Sequence, residues 1–155
     1  MSRTLVVVGW LFAACGDGVN PLAPVPRDVL RAPERATVGD VTVRLETYLY
    51  RDFAPSSPPD GKPLIAGLRV SSVNGGALPS WLGADSVWVL NSAAVWVAKV
   101  VQEQPRSDPS YVDVVAREGP KWGPGIEVDV VVQLHDAGGN RVFLRARAQS
   151  IHRTD

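Results

Sequence analysis

From residue 38 onward, hydrophobic and polar residues alternate with the period of two that indicates β-strands. The clearest segment predicts a strand that turns alternate residues inward, namely Val41, Val43, Leu45, Thr47 and Leu49. The same pattern predicts further strands over residues 64–73, 87–90, 94–101, 111–117, 126–135 and 141–151. The Pro-rich stretch 51–63 is predicted to be a loop. About seven strands joined by turns predict an all-β fold, an antiparallel β-sandwich over residues 38–155.

The segment 92–104 has a second interpretation, a helix with Ser92 as its N-cap. Its valines, and the Val-Trp-Val run at 95–97 above all, favour a strand because β-branched side chains lose rotamers in a helix. We therefore expect strands on both sides of a hinge at Asn91.

The last two strands form the hairpin whose register is easiest to predict. Apolar residues occupy even positions on both strands, so paired positions must sum to an even number and the connection must hold an odd number of residues. The three-residue connection 137–139, Ala-Gly-Gly, satisfies this requirement. The register then predicts Val132 opposite Leu144 and, on the outer face, Asp129 opposite Arg147.

A further indication of the fold lies in the segment from Trp122 to Asn140. It begins with a Trp-Gly-Pro-Gly turn that enters a strand, and it ends in an Asp-x-x-Gly hairpin. This segment resembles the late strands of bacterial immunoglobulin-like domains. The resemblance implies an immunoglobulin-like sandwich and no particular activity. Because the chain has a single cysteine, hydrophobic packing without a disulfide must hold the sheets together.

The first 15 residues differ from the rest of the chain. Arg3 and the α-amino group form a short positive segment, and an uncharged run over 5–14 follows. This run is too short for a transmembrane helix, which needs roughly 20 residues. Its length suits the hydrophobic region of a signal peptide over residues 1–14.

Two small residues, Ala13 and Ala14, end this run immediately before Cys15. The pattern resembles the lipobox of bacterial lipoprotein precursors, although Phe12 stands where that family prefers leucine. The resemblance implies cleavage before Cys15 and attachment of a diacylglyceryl group, with a further acyl chain such as palmitate on the new amino group. Two or three chains anchor a protein stably. The implied location is the cell envelope, on the inner or outer membrane, facing the periplasm or the exterior.

Residues 15–37 are predicted to be the lipidated cysteine and a flexible tether. Prolines at positions 21, 24, 26 and 33 lack a backbone donor and fix φ, so an extended, solvated segment is expected. A single helical turn over 28–35, with Asp28 as its N-cap, is the alternative for part of it.

Charge and composition narrow the possible functions. Basic and acidic residues balance, 16 against 16, so no net field favours nucleic acid. The motifs of serine hydrolases, phosphate loops, dinucleotide-binding folds and zinc peptidases are absent from the sequence. His135 and His152 are interpreted as solvent-facing, and Asp136 and Asn140 as turn residues rather than calcium ligands. We therefore predict no enzyme, no metal and no cofactor.

The stretch 78–101 is unusually apolar, with Asp85 and Lys99 as its only charges. It carries three tryptophans that are candidate partner-binding residues: Trp81, Trp88 and Trp96. Since both faces of these strands are apolar, either the loop 51–63 covers them or they dock a protein partner.

These features together predict a membrane-tethered, extracytoplasmic binding or accessory protein that docks a protein partner in the cell envelope. The second hypothesis is a small-ligand or carbohydrate-binding lipoprotein with Trp81 or Trp122 as a stacking platform. A pocket with an exposed tryptophan floor would favour that second hypothesis.

Overall fold

The computed structural model describes residues 24–92 and 94–155. Within these ranges the chain forms one short helix and eight strands. They are α1 (Arg27–Leu30), β1 (Arg35–Val38), β2 (Val41–Asp52), β3 (Leu64–Ser72), β4 (Gly83–Asn91), β5 (Ala94–Lys99), β6 (Tyr111–Gly119), β7 (Glu127–His135) and β8 (Arg141–Thr154). The all-β class is confirmed, and the helical interpretation of 92–104 is wrong. The predicted signal peptide, Cys15 and the tether up to residue 23 lie outside the described residues.

The strands form one curled sheet in the order β5-β4-β7-β8-β2-β3-β6, and β1 pairs with β2. Six of the seven strand pairings are antiparallel, but β2 and β8 run parallel, with Leu49 opposite Ile151. The sheet is therefore mixed, and the expectation of a purely antiparallel sheet is wrong. The reason is the length of β8. Residues 141–150 pair with β7, and the remaining residues, 151–154, pair with β2.

A single core fills the space inside the curled sheet. Residues of β2, β3 and β6 share it with residues of β4, β5, β7 and β8. The predicted inward face of β2 is confirmed, because Val43, Leu45 and Leu49 are buried while the alternate residues Arg44 and Glu46 are exposed. The sheet nearly closes, since an isolated bridge joins Val101, just after β5, to Val115 of β6.

The predicted hairpin between β7 and β8 is confirmed over most of its length. Val132 lies opposite Leu144. The amide N–H of Asp136 donates to the carbonyl of Asn140 at 2.9 Å, which encloses the three-residue connection 137–139.

A bulge at Ala148 shifts the far end of this hairpin by one residue, so the predicted pairing of Asp129 with Arg147 is wrong. The Asp129 carboxylate accepts a hydrogen bond from the Ala148 N–H at 2.8 Å and pairs with Arg145. Burial raises the pKa of Asp129, but these hydrogen bonds outweigh burial and hold it below its ordinary value. Arg147 forms its ion pair with Glu34 instead, at 2.8 Å.

The segment 24–37 packs on the domain, so an extended, solvated tether is wrong for this part of the chain. Val29 is fully buried, and with Ala32 it packs on Val131 at the outer face of the sheet. Arg145 holds the segment, because its Nη1 donates to the Leu30 carbonyl at 2.9 Å. The helical turn that the sequence allowed is present, but Pro26 rather than Asp28 is its N-cap.

This packing explains the apolar outer face of the tryptophan-rich strands. Half-buried Trp88, Leu90 and Phe143 contact the cluster that Val29 and Ala32 form. The N-terminal segment, and not the loop 51–63, therefore covers this outer face. Its prolines had instead predicted that the segment would be exposed.

Candidate functional site

The candidate site is a groove on the outer face of β2, β3 and β6, with a volume of about 430 Å³. Its lining comes from these three strands and from the segment after β5: Glu46, Thr47, Tyr48, Gly67, Leu68, Arg69, Glu103, Gln104, Asp113, Val114 and Val115. The curvature of the sheet and the position of Glu103 and Gln104 beside β6 make this face concave.

The register of the strands aligns the groove residues in two rows. Tyr48 of β2 lies opposite Gly67 of β3, and Gly67 lies opposite Val115 of β6. In the next row Arg69 lies opposite Asp113. One row is therefore aromatic and apolar and the other is charged, and on β3 and β6 a single residue lies between the two rows.

Gly67 has no side chain, so it leaves a space in the middle of the first row, between Tyr48 and Val115. A Cβ built at this position would meet the Tyr48 carbonyl oxygen at 3.4 Å and the Tyr48 Cβ at 3.9 Å, which are ordinary contacts. Neither a positive φ nor crowding therefore requires glycine here. Glycine inside a strand weakens the strand and often marks a place where a ligand approaches the backbone.

Tyr48 forms the aromatic wall of the groove. Its side chain is 53% exposed, although Tyr50 and His152 lie beside it with ring centroids at 5.2 Å and 5.6 Å. The two neighbours restrict the orientation of the Tyr48 ring, and the exposed half of its surface remains open to a ligand.

Two bidentate ion pairs flank the groove. Arg69 donates to Asp113 at 2.7 and 2.8 Å, and Arg117 donates to Glu103 at 2.8 and 2.9 Å. The hydrogen bond from Arg117 holds the pKa of Glu103 below its ordinary value. Arg69 also lies 3.9 Å from the centroid of the Tyr111 ring. The bidentate hydrogen bonds therefore hold these side chains in defined orientations.

None of the tryptophans singled out in the sequence lines the groove. Trp96 is 2% exposed and belongs to the core, and Trp88 lies edge-on to Phe143 under the N-terminal segment. Trp81 is 37% exposed, outside the groove, and Trp122 packs half-buried against the core. These residues do not form the pocket with an exposed tryptophan floor that would have favoured the carbohydrate hypothesis.

Sequence reasoning missed the groove residues because their side chains meet only across strands. The one local signal is Gly67, a glycine in the middle of a predicted strand.

The histidines take separate structural positions. His135 packs over Gly83 and approaches the Asp85 carboxylate at 3.3 Å. In residues 24–92 and 94–155, no three His, Cys, Asp or Glu side chains cluster in a way that could hold a metal ion. The described part of the chain also contains no helix of the length and apolarity needed to span a membrane.

Comparisons of the chain with protein families, curated proteins and solved structures find no match.

Proposed function

We propose that this chain is a non-enzymatic binding domain of the cell envelope, anchored by lipid on Cys15, that binds its ligand in the groove on β2, β3 and β6. The observation that carries this proposal is the groove itself. An exposed aromatic ring, an open floor at Gly67 and two oriented ion pairs converge on one concave surface. Concave surfaces with a few placed polar groups are the usual ligand sites of proteins.

We further propose that the fold is an immunoglobulin-like sandwich, as the segment after Trp122 implies. The strand order supports this assignment. β2, β3 and β6 are neighbours in the way that strands A, B and E are, and β5, β4, β7 and β8 follow the order C′, C, F and G. The shared core between these two halves is what a sandwich requires.

The position of the N-terminal segment supports an orientation of the domain in which the groove faces away from the membrane. The segment lies on the outer face of the half formed by β4, β7 and β8, whereas the groove lies on the outer face of the other half. The eight residues 16–23 span at most about 28 Å when fully extended. The anchor therefore holds the domain close to the bilayer, with the groove on the side that faces away.

The groove replaces the tryptophan surface as the expected interaction site. In the described fold Trp96 is buried in the core and the N-terminal segment covers Trp88, so neither is available to a partner. Trp81 retains an exposed surface, but it lies outside the groove.

The anchor is tested with Cys15→Ser in the full chain, expressed with its own leader in a bacterium. We expect the wild type to enter the detergent phase of a Triton X-114 partition and to carry the mass of a lipid on a chain that begins at Cys15. The variant should lack this lipid mass, because a hydroxyl does not replace the thiolate as the acceptor. A wild-type product that retains Met1 and an unmodified thiol would refute the anchor.

The groove is tested with Gly67→Val, which fills its floor. The free energy of unfolding should change by less than about 1 kcal/mol, since a β-branched residue suits a strand and the space is open. Gly76→Val is the matched control, because Gly76 is exposed in the turn after β3 and a Cβ there meets only the Ser72 hydroxyl at 3.7 Å.

The measurement is crosslinking in cells from a benzophenone amino acid at Gln104 on the rim of the groove. Crosslinked envelope material should fall at least about tenfold in Gly67→Val, as expected for a loss near 1.4 kcal/mol of binding free energy, and should persist in Gly76→Val. Equal crosslinking in the two variants, or none in the wild type, would reject the groove as the binding surface.

A further inference from the structure

We infer that the ligand of the groove is a neutral oligosaccharide, bound with the apolar face of a sugar ring against Tyr48 and its hydroxyls toward the flanking ion pairs. This inference rests on the proposed binding function and specifies its ligand class. Three independent observations carry it: the charge balance of the rim, the chemistry of the floor, and the backbone pairing of the strands beneath.

The charges around the groove cancel one another. Three carboxylates line it, those of Glu46, Glu103 and Asp113. Each of these is paired with an arginine, at 2.8 Å for Arg44–Glu46, 2.7 Å for Arg69–Asp113 and 2.8 Å for Arg117–Glu103. A site for a phosphate, a nucleic acid or an acidic polymer needs cations that are not already neutralised. The rim therefore favours a ligand without net charge.

The floor and the rim match the two sides of a sugar ring. A pyranose has an apolar C–H face, which stacks on aromatic rings, and an equatorial belt of hydroxyls, which bind planar polar side chains. Tyr48, Gly67 and Val115 form an aromatic and apolar row with a gap at its centre. Arg69 uses Nε and Nη2 for Asp113, so Nη1 lies outside this pair. Gln104 lines the same groove, and its side chain carries an amide, which is a neutral donor and acceptor.

The backbone under the groove argues against a peptide added as an extra strand. β3 lies between β2 and β6, and it pairs with both along the groove. The peptide groups of the floor are therefore engaged within the sheet, whereas strand addition requires a free edge. A ligand in this groove must bind through side chains, as saccharides do.

The test uses cellohexaose, mannohexaose and chitohexaose as neutral probes, with the full chain purified in a detergent that has no sugar headgroup. Binding is measured by saturation-transfer NMR and by titration calorimetry. We expect at least one hexasaccharide to bind with a Kd of about 1 mM or tighter. The affinity should change by less than about twofold between low and high NaCl, because the ligand carries no charge.

The contribution of the aromatic ring is tested with a pair of variants. Tyr48→Ala should weaken binding at least about tenfold, because the stacking surface is lost. Tyr48→Phe retains the ring and should stay within about twofold of the wild type. Equal binding by the wild type and Tyr48→Ala would overturn the stacking role and with it the inference.

The outcomes separate this inference from the proposed function. If none of the three hexasaccharides binds while crosslinking at Gln104 still depends on Gly67, the groove binds another class of ligand and the saccharide inference is wrong. Preferential binding of a heparin hexasaccharide that weakens with salt would also overturn it, because the rim would then act as a cationic site. If crosslinking is also independent of Gly67, the proposed function fails together with the inference.

Discussion

Replacement of Arg51 by lysine is expected to lower the free energy of unfolding by about 2–4 kcal/mol, although the charge is retained. Arg51 is 3% exposed at the end of β2. Its guanidinium donates to the carbonyls of Lys62, Lys121 and Gly123 at 2.9, 3.2 and 2.8 Å, and also to the carbonyl of Asp60. One buried cation thereby joins the loop after β2 to the turn before β7.

The size of the effect follows from the geometry of the two cations. The guanidinium presents five donors in a planar fork, whereas the lysine ammonium presents three donors at one point. A lysine at this position cannot reach carbonyls on both loops, so some of them remain buried without a donor. Each such group costs about 1–3 kcal/mol. Arg51→Met should cost more than Arg51→Lys, since it removes every donor.

Urea denaturation of the full chain, followed by circular dichroism, measures this difference. Arg153→Lys is the matched control. Arg51 and Arg153 both stack on the Phe53 ring, at 5.0 and 4.3 Å from its centroid, but Arg153 is an exposed surface arginine that pairs with Asp155. Its replacement should cost less than about 1 kcal/mol. An Arg51→Lys variant as stable as the control would show that the carbonyls find other donors.

Trp96→Ala is expected to lower the free energy of unfolding by about 3–5 kcal/mol. Trp96 is the largest of the fully buried side chains in the described residues, at 2% exposure. Its ring fills the space over Gly119 of β6, where an added Cβ would lie 2.8 Å from the ring atoms. Alanine would therefore leave a cavity between β5 and β6 that the close-packed strands cannot fill.

Trp81→Ala provides the comparison, because Trp81 is 37% exposed and its loss should cost less than about 1.5 kcal/mol. Both variants are measured by thermal and urea unfolding. This pair also separates a core role from an interface role for the tryptophans of this region. If Trp96→Ala folds with unchanged stability, Trp96 does not serve as the core residue that its burial implies.

The prediction of secondary structure succeeds where the local pattern is sufficient. The alternation in 41–49 predicts the buried face of β2. The apolar residues at even positions on both strands of the last hairpin predict the pairing of Val132 with Leu144. The pairing of Asp129 with Arg147 fails three residues further on, because the bulge at Ala148 adds a residue to one strand. At this bulge the Ala148 N–H donates to the Asp129 carboxylate, and the alternation of side chains does not reveal such a hydrogen bond.

The residues of the candidate site were much harder to predict from the sequence than the strands. The tryptophans attract attention because aromatic residues dominate interfaces, but burial of Trp96 depends on Gly119, 23 positions away. The groove residues Tyr48, Gly67 and Val115 lie in three segments with no local pattern in common. Only a glycine inside a strand pointed toward this site.

The sequence by itself determines which segments after residue 40 form strands and how the last hairpin begins, because side-chain alternation and loop length act between neighbours in the chain, whereas most of β1 lies in the segment predicted to be a tether. Only the tertiary structure decides that β8 exchanges β7 for β2 as its partner, that the segment 25–32 covers Trp88, and that Tyr48 faces Gly67 beside balanced ion pairs. These outcomes depend on contacts between residues far apart in the chain. Such contacts form only when the sheet curls around one shared core.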